Sequence, residues 1–184
     1  MGEDERLLLD YSRRGETGSL SALVVRNARW MLAFLRGMLR SPHDAEDVLQ
    51  EAWLRVIKAR GAYRGGSCKA YLARIVRTAA VDFLRKSGRY VFFPDAEDGL
   101  PGDVECAEVS PDAAFEIKAT SEDVLSAVAS LALPEREVVL MRIEGELPFR
   151  EIAEQLNLPI GTVLTRMRSA TIKLRNKLKE AANG

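Results

Sequence analysis

Between Arg166 and Lys179 the chain carries six basic side chains (Arg166, Arg168, Lys173, Arg175, Lys177 and Lys179) and no acidic one. Guanidinium and ammonium groups at that density do one kind of chemistry well: they bind phosphate, through charge and through forked N–H donors. A second block runs from Arg55 to Arg89, where ten bases face the single acid Asp82. Between the two blocks the sign reverses, with ten acids from Asp95 to Asp123 against Lys118 alone. The chain totals 27 Lys+Arg and 27 Asp+Glu, so its net charge of zero hides a basic, acidic, basic order. That segregation predicts two contacts with a polyanion.

Other chemistries find little support. His43 is the only histidine, and Cys68 and Cys106 stand apart without a CxxC, so neither a zinc site nor a disulfide framework is built. His43, Asp44, Glu46 and Asp47 resemble a ligand set in composition, but helical spacing spreads them over two flanks and no second set follows. No catalytic residues, metal or cofactor are expected. The amino terminus, MGEDERLLLDYSRRG, is acidic where a signal peptide would be basic, and the longest apolar runs, such as MLAFL, are too short for a membrane span. A cytoplasmic protein without membrane insertion is the expectation.

The elements that must position these charges read as helices throughout. Leu20, Leu23, Val24, Ala28, Met31, Leu32 and Leu35 recur at three- and four-residue spacing, as do Val48, Leu49, Ala52, Trp53, Val56 and Ile57, then Tyr71, Leu72, Ile75, Val76, Ala79 and Phe83. Breakers separate them: Gly37 near the end of the first, Ser41-Pro42 opening the second, and GAYRGGS at 61–67 before the third. From Tyr90 to about Ala114 the pattern dissolves into Pro, Gly and acids, a linker in which Phe92 and Phe93 are read as folding back onto the first bundle. As a flexible chain its roughly 25 residues span ~25–30 Å, enough to separate two sites without uncoupling them. With 47% hydrophobic and 29% charged residues and no strand alternation, 184 residues make two small all-α domains. Their bounds are taken as 1–90 and 119–184, joined by an acidic linker over 91–118.

In PFREIAEQLNLPIGTVLTRMRSATIKL a short helix from about Pro148, four residues from Leu156 to Pro159, and a longer helix make helix-turn-helix spacing. Val163, Met167, Ala170 and Leu174 form the inner side of the longer helix, leaving Thr165, Arg168 and Ser169 for a major groove. Arg168 is best placed for a guanine edge, worth ~1–3 kcal/mol of discrimination. Arg166 lies beside the buried stripe, and with Lys173, Arg175, Lys177 and Lys179 it is assigned mainly to phosphates. For Lys177 and Lys179, complementing the helix dipole is an equal explanation.

SPHDAEDVLQEAWLRV opens with Ser41 as N-cap, Pro42 at the first helical position and Asp44 at the capping-box place. Capping accounts for the first acids. Asp47, Gln50 and Glu51 lie a turn further on, and Gln50 is neither cap nor core.

DAEDVLQEAW, YRGGSCKAYLARIVRTAAVDFLRK and LPEREVVLMRIEGELPFREIAEQLNLPIGTVLTRMR, in that order, resemble an extracytoplasmic-function (ECF) sigma factor over nearly the whole chain except the linker. The resemblance implies a first domain, sigma region 2, whose DAEDVLQE helix docks on the clamp helices of RNA polymerase through Asp44, Asp47, Gln50 and Glu51. It implies that the segment Tyr63 to Arg89 binds the minus-ten element as it melts, with Tyr63, Arg64, Lys69, Tyr71, Arg74, Arg77 and Thr78 in contact. Captured single strands need basic groups along the backbone and flat or pocketed surfaces for bases, and these residues supply both, although Tyr71 is equally a core residue. The second domain, region 4, would meet the polymerase flap and read the minus-thirty-five element through Thr162, Thr165, Arg166, Arg168, Ser169 and Lys173. An anti-sigma factor is implied as a further partner.

The chain departs from the family pattern at Tyr71, where Trp is usual, and at Thr78, where Asn is common. Leu164 replaces a frequent Lys, and Ser169 and Thr171 stand where Arg is common. Fewer phosphate contacts imply weaker, less salt-sensitive binding by region 4. Acids between two basic modules disfavour binding of free DNA, so polymerase would first have to hold the domains apart. The competing reading, a stand-alone helix-turn-helix regulator with a sensing or dimerising amino-terminal bundle, leaves the DAEDVLQE helix and the basic 55–89 segment unexplained.

Overall fold

The computed structural model describes residues 1–89 and 121–182. The predicted linker over 91–118, Cys106 and the pair Phe92 and Phe93 lie outside the described residues. Eight helices and no strand occur among those described: α1 (Glu3–Arg14), α2 (Thr17–Leu39), α3 (Pro42–Lys58), α4 (Cys68–Lys86), α5 (Ser121–Ser130), α6 (Leu133–Ile143), α7 (Phe149–Leu156) and α8 (Ile160–Ala182).

Local chemistry sets the ends. Ser41 accepts the Asp44 amide at 3.2 Å and opens α3 with Pro42 behind it, as its position requires. The Asp44 carboxylate does not complete a capping box; it takes Arg89 Nη2 at 3.0 Å, tying the start of α3 to the end of α4. Ser67 accepts the Ala70 amide at 3.1 Å and caps α4 in the same way. Helix α1 comes from a stretch read above only for targeting. Three acids in its first turn and two arginines in its last complement its dipole, and Leu8 and Tyr11 bury its inner face. Gly15 ends it in the left-handed conformation, donating its N–H to the Tyr11 carbonyl.

The first four helices form a bundle around Leu23, Met31, Phe34, Leu35, Leu72 and Val76, all fully buried. Helix α2 does not stop at Gly37 but runs to Leu39, with Arg40 as its left-handed cap. Gly37 instead marks a close approach: a Cβ there would stand 2.6 Å from a methyl of Leu140 on α6. The second group of helices therefore packs on the first. One apolar cluster continues from Leu8 through the bundle to Val138, Leu140, Ile152 and Val163. Removing such apolar surface from water is the main favourable term for holding the two groups together.

Polar bonds cross the same seam. Buried Arg136 on α6 donates Nη1 to the Met38 carbonyl at 3.2 Å and Nη2 to the carbonyls of Ala129 and Leu131 at 2.6 and 2.8 Å. It thereby satisfies orphan carbonyls at two helix ends, one in the last turn of α2 and two at the end of α5, in its last turn and just beyond it. Gln155 on α7 donates to the Ala70 carbonyl at 2.6 Å.

Candidate functional site

Helix α3 presents its predicted residues to solvent in a stripe. Asp47 and Gln50 are exposed, Glu51 and Asp44 half-buried. Glu51 also accepts Arg55 Nε at 3.1 Å, and Arg55 Nη1 reaches Asp82 of α4 at 2.8 Å, so part of its charge is committed to the bundle. One turn beyond Gln50 the stripe continues with Leu54 and Ile57, which are 47% and 42% exposed. The apolar periodicity counted Ile57 as core and passed over Leu54. Both lie on the outer side because Ala52, Trp53 and Val56 already fill the inward positions. Their signal was available: apolar residues at i+4 and i+7 from a solvent-facing Gln.

The basic segment before and along α4 is organised by the loop 61–67. Gly61, Gly65 and Gly66 adopt positive φ, which lets the chain turn tightly over the end of α1. The Ser12 hydroxyl donates to the Tyr63 carbonyl at 3.1 Å, and the Cys68 amide donates to Glu5 at 3.2 Å. Tyr63 is buried at 6% exposure, its hydroxyl donates to the Gly66 carbonyl at 2.6 Å, and burial pushes its pKa up to about 12. Its ring lies 5.2 Å from that of half-buried Tyr71 at a 60° tilt. The pair supports the loop from beneath, with the Tyr63 ring buried and the Tyr71 ring partly so. Burial likewise raises the Cys68 thiol to about 12, which leaves it an inert core group.

On the outer side, Arg64, Arg74 and Thr78 are exposed, with the Thr78 hydroxyl donating to the Arg74 carbonyl at 2.7 Å. Lys69 and Arg77 are turned toward the second group of helices. Lys69 lies over the Trp30 ring and 3.2 Å from Glu146, and Arg77 Nε lies 2.9 Å from the carboxylate of Glu137 on α6.

The helix-turn-helix forms as spaced, with Asn157 in the left-handed conformation at the end of α7. Along α8, Val163 and Ala170 are fully buried, and Met167 and Leu174 pack partly under them. Arg168 is exposed and Thr165 half-exposed, its hydroxyl donating to the Gly161 carbonyl at 3.0 Å; Thr162 precedes them by one turn.

Ser169 is placed differently from its sequence reading. Its hydroxyl donates to Glu135 at 2.7 Å, and Lys173 donates to the same carboxylate oxygen at 2.6 Å. Positions 166, 169 and 173 fall on one flank at 3.6 spacing, and α6 packs against that flank, so Arg166, Ser169 and Lys173 meet its acids. Burial would raise the Glu135 carboxyl, but the bonds from Lys173 and Ser169 outweigh it and hold the group below its ordinary value. Glu135 and Glu137 are the residues that sequence reasoning missed, because a Glu beside a helix start reads as capping.

Among the described residues, no group of three or more His, Cys, Asp or Glu gathers as a metal site, and no helix is long and apolar enough to cross a membrane. Comparison with known proteins places the same two segments. Sigma-70 region 2 matches residues 23–90, and Sigma-70, region 4 matches residues 121–174. The chain is similar to the ECF RNA polymerase sigma factor SigE of Mycolicibacterium smegmatis, 32% identical over 139 residues, 74% of this chain and 52% of that protein. The chain thus spans about half the length of that relative. It is 29% identical over 150 residues to the ECF RNA polymerase sigma factor SigW of Bacillus subtilis, 78% of this chain and 80% of the relative.

Two solved structures share the fold at 20% identity. One is CnrH in complex with the cytosolic domain of CnrY, with a TM-score of 0.69 over 97% of this chain and 99% of the other. The second is the sigma factor RpoE in complex with the anti-sigma factor NepR from Bartonella quintana, with a TM-score of 0.67 over 86% and 96%.

Proposed function

The chain belongs to the ECF sigma factors, and from that premise we propose how its two helical modules share the work of a promoter-specificity subunit of bacterial RNA polymerase. Region 2 takes residues 1–90, region 4 residues 119–184, and 91–118 tethers them. The ordered match of both regions carries this reading over a stand-alone regulator. The chain acts in the cytoplasm, with core polymerase, promoter DNA and an anti-sigma factor as partners, and it supplies binding and positioning while the polymerase does the chemistry.

The outer stripe of α3 docks on polymerase. Asp47, Gln50 and Glu51 provide polar contacts and Leu54 adds apolar area next to them, the mixture that anchors a standard interface. Asp44 acts from behind, since its carboxylate is held by Arg89.

The α4 side and its loop hold the minus-ten strand as it separates. Arg64, Arg74 and Thr78 are exposed and ready, whereas Lys69 and Arg77 must leave Glu146 and Glu137 first. Tyr63 and Tyr71 shape the loop; a base stacked on either ring requires the pair to part.

The minus-thirty-five element is read by Arg168 with Thr165 and Thr162 on the outer side of α8. Arg166, Ser169 and Lys173 meet phosphate at the edge, in competition with the α6 carboxylates. The test is in vitro transcription with core polymerase over a random promoter library, read out as enriched start sites. Enrichment of two spaced elements supports the reading; association with core polymerase without any transcript overturns it.

A further inference from the structure

Glu137 sits where basic side chains of both proposed DNA-reading helices converge. It projects from α6, is nearly fully buried, and lies 2.9 Å from Arg77 of α4. Arg166 of α8 and Arg85 of α4 also act on it: burial raises its carboxyl pKa, and Arg77, Arg166 and Arg85 oppose that rise. Two residues earlier, Glu135 holds Ser169 and Lys173 of α8. Beyond α6, Glu146 holds Lys69 at 3.2 Å, and Gln155 clamps α7 to the Ala70 carbonyl at the start of α4.

A carboxylate and a phosphate oxygen present the same acceptor to a guanidinium or ammonium group. We propose that Glu137 is an internal stand-in for promoter phosphate, an autoinhibitory latch that occupies Arg77 and keeps α4 closed against α6 and α7 in the free chain. The inference rests on the assignment of Arg77 to the minus-ten strand.

The latch is poised to open. Burying two charges costs nearly as much as their attraction returns, so such a pair specifies a geometry more than it stabilises it. The contact of Arg77 Nε with Glu137 at 2.9 Å is a single ion pair, which a phosphate oxygen can replace. Most of the holding force then comes from the apolar contact of α2 and α6 at Gly37 and Leu140. Polymerase, by binding the modules at separate places, would exchange that contact for its own and release Arg77 to the strand.

The test uses the full chain. Anisotropy of a short, fluorescein-labelled, mixed-sequence single strand at low salt is compared for wild type, Glu137→Gln and Gly37→Leu, with small-angle scattering on each. Glu137→Gln keeps the shape and removes the charge; Gly37→Leu wedges against Leu140 and leaves Glu137 in place. The expectation is about tenfold tighter binding for either variant, with a larger radius of gyration for Gly37→Leu and an unchanged one for Glu137→Gln, whose apolar contact is intact. Wild-type affinity in both variants overturns the latch. On assembled holoenzyme, Glu137→Gln should leave promoter opening unchanged and Arg77→Ala should lower it. An Arg77→Ala holoenzyme that opens promoters normally would instead defeat the minus-ten assignment, whatever the free chain does.

Discussion

Helices α3 and α4 are neighbours in one bundle, capped alike by a serine, yet their functional sides meet different surroundings. The acidic stripe of α3, with Asp47, Gln50 and Leu54, stands open to solvent. The basic side of α4 is partly covered by α6 and α7, which engage Arg77 and the Ala70 carbonyl. On the proposed assignment the difference gives an order of events: a polymerase-docking surface that is ready in the closed chain, and a DNA-binding surface that is completed only when the modules part.

The largest effect that would break this contrast concerns α3. Gln50→Ala with Glu51→Ala should weaken association with core polymerase more than tenfold, measured by biolayer interferometry, and leave promoter reading by whatever holoenzyme forms unaltered. Next, Arg168→Ala should cut transcription from the cognate promoter about tenfold, the ~1–3 kcal/mol of one base contact, with polymerase binding intact. If both variants lost polymerase binding equally, the separation of the two surfaces would be refuted.

A smaller, several-fold loss of polymerase affinity is expected for Leu54→Asp, with the melting temperature little changed because the side chain is 47% exposed and lies outside the core. A drop in melting temperature would instead make Leu54 part of the core.

The smallest effect lies between α6 and α8. The Glu135 carboxyl is held below its ordinary value, so its contribution to stability is present above the pH at which an unfolded Glu titrates. That contribution disappears as pH falls through the depressed value. Melting followed by circular dichroism should show Glu135→Gln about 1 kcal/mol or less below wild type at neutral pH and converging with it in acid.

How much was legible beforehand follows from the range of the interactions involved. The N-cap at Ser41, the break at residues 61–67, the four-residue turn before α8 and the buried stripe of Val163, Met167, Ala170 and Leu174 depend on residues a few positions apart, and spacing exposes them. Helix α1 was passed over because its short apolar face takes its meaning from the α2 and α4 surfaces it covers. Leu54 was missed because an outward leucine looks like any other until the inward positions are seen to be full.

What the amino-acid sequence settled by itself is local and periodic: helical spacing in two groups, basic blocks separated by acids, and a helix-turn-helix with Arg168 on its outer side. Which arginines are free could only be decided by tertiary structure. Arg74 and Arg77 are one turn apart and chemically identical, yet Arg74 meets water while Arg77 meets Glu137, sixty residues away in the chain. A charge acts on whatever lies within a few ångströms of it, and the folded backbone alone determines what that is.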